Sequence, residues 1–139
     1  MFLKHCLLLL VLSGTLTCSA LAQTSTTKAA PDSPAAFVGK WAGTYEGASS
    51  GKCEMQITRN ADGKYEGTIT VIPGEEARYN IKFKTLTLDG NKLKAAYNEP
   101  GEGTPISMEG TLTGTTVKGT YDANGGEATG TWTMTQQLK

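Results

Sequence analysis

An alternation of apolar and polar residues with a period of two runs through almost the whole chain after residue 36. That part of the chain lacks the 3.6-residue period that an amphipathic helix shows over about 11 residues. Clusters of Gly, Asp and Asn interrupt the alternation at short intervals, as turns between strands do. The pattern predicts an all-β domain of eight strands, over residues 37–46, 52–60, 64–72, 78–88, 92–98, 105–113, 116–122 and 127–136.

Short connections between these strands predict that neighbours in sequence are antiparallel neighbours in space. The result is an up-and-down meander, and its closure into a small lipocalin-like barrel would remove the exposed strand edges. Within the fourth strand the alternation changes phase between Phe83 and Leu86. A change of this kind indicates a β-bulge.

Five predicted strands share the pattern apolar-x-Gly-x-apolar, in which the glycine has the inward phase of its neighbours. The segments are Trp41-Gly43-Tyr45, Tyr65-Gly67-Ile69, Met108-Gly110-Leu112, Val117-Gly119-Tyr121 and Ala128-Gly130-Trp132. A glycine within a strand costs about 0.5–1 kcal/mol relative to alanine. Tightly coiled strands of a small barrel explain the repeat, because they bend best where no Cβ projects inward.

In an up-and-down meander, successive loops lie at alternate ends of the sheet. The longer loops 47–51, 73–77, 99–104 and 123–126 share one end, and the tighter turns 61–63, 89–91 and 114–115 share the other. Acidic residues predominate at the looser end and lysines at the tighter end. The sequence therefore predicts a barrel with an acidic, loop-rich mouth. Without an Asp-x-Asp-x-Asp loop, a tight calcium site is not expected there.

The N-terminus has a positive start, a short apolar run from Cys6 to Leu12, and Ala20-Leu21-Ala22 before Gln23. These features predict a signal peptide over residues 1–22, cleaved after Ala22, and a periplasmic or secreted protein. The apolar run is too short for a membrane span, which needs about 20 residues. Lipid attachment at Cys18 is an alternative. Residues 23–36 are polar and contain Pro31 and Pro34, so we expect a flexible leader before a single domain over residues 37–139.

Cleavage would remove the single histidine, His5, and two of the three cysteines. Without histidine, a Ser-His-Asp or Cys-His site and a His-ligated zinc site are excluded from the mature chain. Cys53 remains, in phase with Met55 and Ile57, which predicts a buried thiol. The mature chain has 12 Lys and Arg against 13 Asp and Glu, which gives no drive toward nucleic acid. We therefore expect a non-enzymatic monomer without a metal or cofactor.

Aromatic residues of the inward phase are the candidate binding residues. They are Trp41, Tyr45, Tyr65, Tyr97, Tyr121 and Trp132. An eight-stranded barrel has room either for its own side chains or for one small ligand. The rings could therefore form a pocket for a small apolar or amphipathic molecule, or they could fill the core beside the glycines.

The start Gly39-Lys40-Trp41-Ala42-Gly43 and the end Gly130-Thr131-Trp132 resemble calycin or lipocalin-like barrels, whose first strand carries a Gly-x-Trp. They are similar, more narrowly, to small exported bacterial domains with a Gly-Lys-Trp-x-Gly start and a Gly-Thr-Trp end. The resemblance covers about residues 37–136. It implies a small exported barrel that occurs alone or beside secreted hydrolases.

A weaker resemblance links the Gly-x-Trp start and Cys53-Glu54-Met55 to bacterial inhibitors of secreted metalloproteases. In that family the flexible N-terminus enters the protease cleft and the cysteine forms a disulfide. The resemblance implies an alternative function, a protein-interaction module whose partner is an extracytoplasmic protein. A purely structural accessory domain is the third reading.

Overall fold

A computed structural model describes residues 32–75 and 77–138. The predicted signal peptide over 1–22, its cleavage after Ala22, the lipidation alternative at Cys18 and the leader up to residue 31 lie outside the described residues. Within them, a short 3-10 helix, Pro34–Phe37, precedes nine β-strands. The strands are β1 Gly39–Gly47, β2 Gly51–Arg59, β3 Tyr65–Ile72, β4 Tyr79–Lys82, β5 Thr85–Asp89, β6 Lys92–Asn98, β7 Pro105–Thr113, β8 Thr116–Ala123 and β9 Ala128–Gln137.

All nine strands of the described residues form one curled antiparallel sheet in the order β4-β3-β2-β1-β9-β8-β7-β6-β5. The prediction of an all-β, barrel-like meander is confirmed. β1 and β9 pair in the middle of the sheet, with Tyr45 opposite Trp132. The chain therefore passes up and down to each side of this central pair.

The predicted number of eight strands is wrong, because the fourth predicted strand divides in two at Phe83 and Lys84. β4 pairs with β3, whereas β5 pairs with β6. The Phe83 N–H donates to the carbonyl of Gly67 at 3.0 Å, and the Lys84 N–H donates to the carbonyl of Ala96 at 2.7 Å. The phase change that the alternation shows between Phe83 and Leu86 thus marks the point where the chain leaves one sheet edge and joins the other.

The side chains on the inner face of the curled sheet form the apolar core. Both tryptophans, Trp41 and Trp132, are nearly fully buried within it, together with Phe37 of the 3-10 helix. The indole Nε1 of Trp41 donates to the carbonyl of Phe37 at 2.8 Å. This bond satisfies the polar atom of a buried ring and fixes the helix across the end of the sheet that carries the tight turns. The predicted domain boundary at residue 37 falls inside this helix.

Close approach of neighbouring strands accounts for two of the repeated glycines. A Cβ at Gly43 would collide with the carbonyl oxygen of Thr133, and one at Gly119 with the carbonyl oxygen of Glu109. Strands this close leave no space for any side chain beyond hydrogen at these positions. The glycines therefore allow the sheet to curl.

Candidate functional site

A cavity of about 110 Å³ opens at the end of the sheet that carries the longer loops. Its walls combine apolar side chains with tyrosines, and one carboxylate lies among them. The lining residues are Tyr45, Ser49, Cys53, Ile69, Val71, Pro73, Tyr79, Tyr97, Glu99, Ile106, Met108, Tyr121 and Trp132. Pockets for drug-sized ligands measure about 300–1,000 Å³, so this cavity suits a single ring or a small head group.

Alternation along the strands brings the aromatic residues of the cavity together. Tyr45 lies near the end of β1, opposite Trp132 of β9, and Tyr121 lies near the end of β8. The Tyr45 and Tyr121 rings meet edge to face, with centroids 6.1 Å apart and planes at 85°. This is a favourable arrangement for an aromatic pair.

Two of the repeated glycines make space for these rings. A Cβ at Gly110 would lie 2.7 Å from the Trp132 ring, and a Cβ at Gly130 would collide with the Tyr121 ring. Trp132 is held in place by its Nε1, which donates to the carbonyl of Thr120 at 3.0 Å. The rings thus occupy part of the space that the glycines leave, and the cavity is the remainder.

Hydrogen bonds connect two tyrosine hydroxyls of the cavity to the surrounding loops. The Tyr121 hydroxyl donates to the Ser49 carbonyl at 3.3 Å, which links β8 to the loop between β1 and β2. The Tyr79 hydroxyl donates to Oε1 of Glu99 at 3.2 Å, which links the start of β4 to the loop after β6. These bonds hold two of the loops that surround the opening.

Burial raises the pKa of four ionisable groups in the cavity. It raises the pKa of Tyr79 to about 12, with a further contribution from Glu99. It also raises the pKa of Tyr97 and of Tyr45 above the usual tyrosine value. Burial, and after it the Glu54 carboxylate, raises the pKa of the Cys53 thiol to about 12. The raised pKa values keep Tyr45, Tyr79, Tyr97 and Cys53 in their protonated forms to higher pH than usual.

Of the six aromatic residues predicted for the site, four line the cavity: Tyr45, Tyr97, Tyr121 and Trp132. Trp41 and Tyr65 do not line it and lie at the other end of the sheet. Trp41 packs against Phe37 at the end with the tight turns, with ring centroids 6.4 Å apart. Tyr65 is half-buried at the same end, with the Arg59 guanidinium 5.7 Å from its ring centroid.

Sequence reasoning missed Tyr79 and Glu99. Tyr79 shares the inward phase of Ile81 and Phe83, so the alternation contained the signal for it. Glu99 lies in a loop, where no periodicity applies, and only its contact with Tyr79 reveals its position.

Charged groups around the cavity are mostly acidic. The acidic residues at this end of the described chain are Glu46, Glu54, Glu75, Glu99, Glu102, Asp122 and Glu127, and the basic ones are Lys52, Arg78 and Lys84, whose Nζ lies 3.4 Å from Oδ1 of Asn98. Arg78 forms an ion pair with Glu54 at 3.5 Å. Among residues 32–75 and 77–138, no group of three or more His, Cys, Asp or Glu side chains is arranged to hold a metal ion.

No helix in the described part of the chain is long and apolar enough to cross a membrane.

Comparisons with known proteins found a similar solved structure. It is secretory abundant heat soluble protein 4 from Ramazzottius varieornatus, with 19% identity and a TM-score of 0.46. The similarity covers 73% of this chain and 95% of that chain. No family model matches the sequence, and no curated protein matches it.

Proposed function

We propose that this chain is a non-enzymatic binding protein whose site is the tyrosine-lined cavity at its acidic end, and that its ligand is a small apolar or amphipathic molecule. The observation that carries the proposal is the cavity itself, with an apolar wall and hydroxyl groups at one open end of the sheet. Small-molecule sites combine a mostly apolar lining with a few placed polar groups in this way.

The chemistry of the lining supports binding over catalysis. A catalytic cysteine works as a thiolate, which needs a lowered pKa. The Cys53 pKa is raised instead, to about 12. The pKa values of Tyr45, Tyr79 and Tyr97 are also raised, which favours the protonated hydroxyl that donates and accepts hydrogen bonds to a ligand.

Two backbone contacts support a finer proposal. We propose that the sheet closes into a barrel in which β4 and β5 together occupy one of eight strand positions. β4 and β5 are consecutive, and the residues between them bond to both sheet edges: Phe83 to Gly67 of β3 and Lys84 to Ala96 of β6. Such a joint would exclude water from the seam and leave the loop-rich end as the entrance to the interior.

Export is part of the same proposal, since the N-terminal residues fit a signal peptide that ends at Ala22. Expression of the full chain in a bacterial host, followed by fractionation and intact mass measurement, tests it. We expect the protein outside the cytoplasm with Gln23 as its first residue. A full-length chain that remains in the cytoplasm would contradict this.

The two tryptophans allow a direct test of binding, because the chain has only two and they lie at opposite ends of the sheet. In Trp41→Phe the remaining indole, Trp132, lines the cavity. In Trp132→Phe the remaining indole, Trp41, lies at the far end. Titration with phenol, short-chain alcohols, carboxylates and amines should change the emission of Trp41→Phe and leave that of Trp132→Phe unchanged.

A variant whose cavity is filled by a larger side chain provides the control for binding at this site. Val71→Phe places a ring in the lining, whereas Leu112→Phe places a ring in the buried core away from it. The first variant should lose the response and the second should keep it, with both folded by circular dichroism. The proposal fails if no compound changes the Trp41→Phe emission, or if Val71→Phe responds as well as its parent.

The protease-inhibitor alternative stays an untested prediction. Cys53 is a free thiol in the described residues, whereas that family's cysteine forms a disulfide. A test must spare the 3-10 helix, so the deletion should remove residues 23–31 only. Inhibition of a secreted metalloprotease that disappears with this deletion would favour the alternative.

A further inference from the structure

The charge and the aromatic lining of the cavity narrow the ligand to one chemical class. Of the described residues that line it, Glu99 is the one acidic side chain, and no Lys, Arg or His is among them. The carboxylate accepts a hydrogen bond from Tyr79 through Oε1. Its other oxygen, Oε2, has no hydrogen-bond partner among the described residues. A carboxylate has about four lone-pair sites, so most of its accepting capacity is left for a ligand.

Rings of the cavity favour a cation as well. Tyr45, Tyr79, Tyr97, Tyr121 and Trp132 line about 110 Å³, and the Tyr45 and Tyr121 rings lie perpendicular to each other. The face of an aromatic ring is negative and attracts an ammonium group within about 6 Å. Several rings with one carboxylate form the kind of cage that binds alkylated ammonium groups.

Long-range charge acts in the same direction. Seven acidic residues and three basic ones surround this end in the described chain, and one of the three, Arg78, is paired with Glu54. A surface of this sign attracts cations and slows the approach of anions. An anionic ligand would in addition place its charge beside Glu99 with no Lys or Arg in the described lining to balance it.

We propose that the cavity binds a small organic cation, an alkylated or primary ammonium group on a short apolar body, with Glu99 beside the charge and the tyrosine rings around it. This inference rests on the proposed function and deepens it. The apolar walls, Ile69, Val71, Ile106 and Met108, contact the methyl or methylene groups. The size of the cavity sets the limit at a head group of this kind, and a long chain would have to extend into solvent.

Three molecules of one shape and different charge test the inference. They are choline, its neutral carbon analogue 3,3-dimethyl-1-butanol, and the anion 3,3-dimethylbutanoate, each titrated separately into Trp41→Phe. A fourth titration uses n-butylamine as a primary ammonium compound. We expect choline or butylamine to bind about tenfold more tightly than the neutral analogue, and the anion to bind weakest. Glu99→Gln should reduce the preference for the cation, measured as the ratio of the two affinities in the same variant, by about tenfold.

Glu102→Gln is the matched control, since Glu102 lies in the same loop, is exposed and does not line the cavity. It should change cation binding by less than about twofold at physiological salt, where exposed charges are screened. Equal affinity for choline and its neutral analogue, or a Glu99→Gln variant that keeps its preference for the cation, would overturn this inference and leave the proposed function standing. A failure of all four compounds to bind would overturn both.

Discussion

Phe83 contacts Gly67 in two ways. Its N–H donates to the Gly67 carbonyl at 3.0 Å, and its ring lies over the glycine, where a Cβ would come within 2.9 Å of Cδ2. Gly67 is buried, and the carbonyl of Gln56 lies on the other side of the same space. The residue at the joint between β4 and β5 is therefore anchored to β3 by both its backbone and its side chain.

The first prediction follows from this contact. Gly67→Ala should destabilise the fold by about 1–3 kcal/mol, because the new methyl group displaces the Phe83 ring in a packed core. Gly74→Ala is the control, since a Cβ there meets nothing within 4 Å. Urea denaturation followed by circular dichroism measures both. Equal midpoints for the two variants would contradict the described packing.

The second prediction concerns Lys84, whose N–H donates to the carbonyl of Ala96 at 2.7 Å while its side chain is exposed. Lys84→Pro removes the donor and should destabilise the fold by about 1–3 kcal/mol. Lys84→Ala keeps the donor and should change stability by less than about 0.5 kcal/mol. Hydrogen exchange gives an independent measure. The Phe83 and Lys84 amides should be protected in the unmodified protein, and rapid exchange at both would contradict the joint.

The third prediction tests whether the 3-10 helix belongs to the core. Phe37 is fully buried, and its carbonyl accepts the hydrogen bond of Trp41. Phe37→Ala should cost about 3–5 kcal/mol of folding free energy. The neighbouring Val38 is 37% exposed, so Val38→Ala should cost much less. A small effect of Phe37→Ala in denaturant titrations would mean that the sheet folds independently of this segment.

The fourth prediction is a loss of stability at alkaline pH. Cys53 and Tyr79 both have folded-state pKa values of about 12, above ordinary values of 9.0 and 10.0, and the pKa of Tyr97 is raised too. Between the ordinary and the raised pKa the unfolded chain binds fewer protons than the folded one. Stability is therefore fully present below about pH 9 and decreases as the pH rises toward 12.

Urea titrations between pH 7 and pH 11 measure this loss. In Cys53→Ala the onset should move from about pH 9 to about pH 10, because the tyrosines are then the groups whose pKa is raised on folding. A stability that stays constant to pH 11 would contradict the burial of these groups.

Most of the fold could be predicted because an antiparallel sheet with one buried face repeats every second residue. β2, with Cys53, Met55 and Ile57 buried and the residues between them exposed, is a clear case. The split of the fourth strand could not be predicted in the same way. The phase change near Phe83 is local, but the choice of Gly67 on one edge and Ala96 on the other depends on the three-dimensional curl of the sheet.

The site was predicted in part for a related reason. Phase tells which face a side chain is on, and Tyr45, Tyr97, Tyr121 and Trp132 have the inward phase. Phase does not tell at which end of the strand a side chain lies. Trp41 and Tyr45 are on the same face of β1 but near opposite ends of it. Strand direction contained that signal, because Trp41 is near the start of β1, beside the tight turns, and Tyr45 is near its end.

β1 and β9 are paired with Lys40 opposite Gln137, so the first and last strands begin and finish side by side, beneath the end that the 3-10 helix covers. The cavity opens at the opposite pole. A tag, a resin or a fused partner joined at either strand terminus would therefore hold the molecule by its base, with the opening directed away from the support.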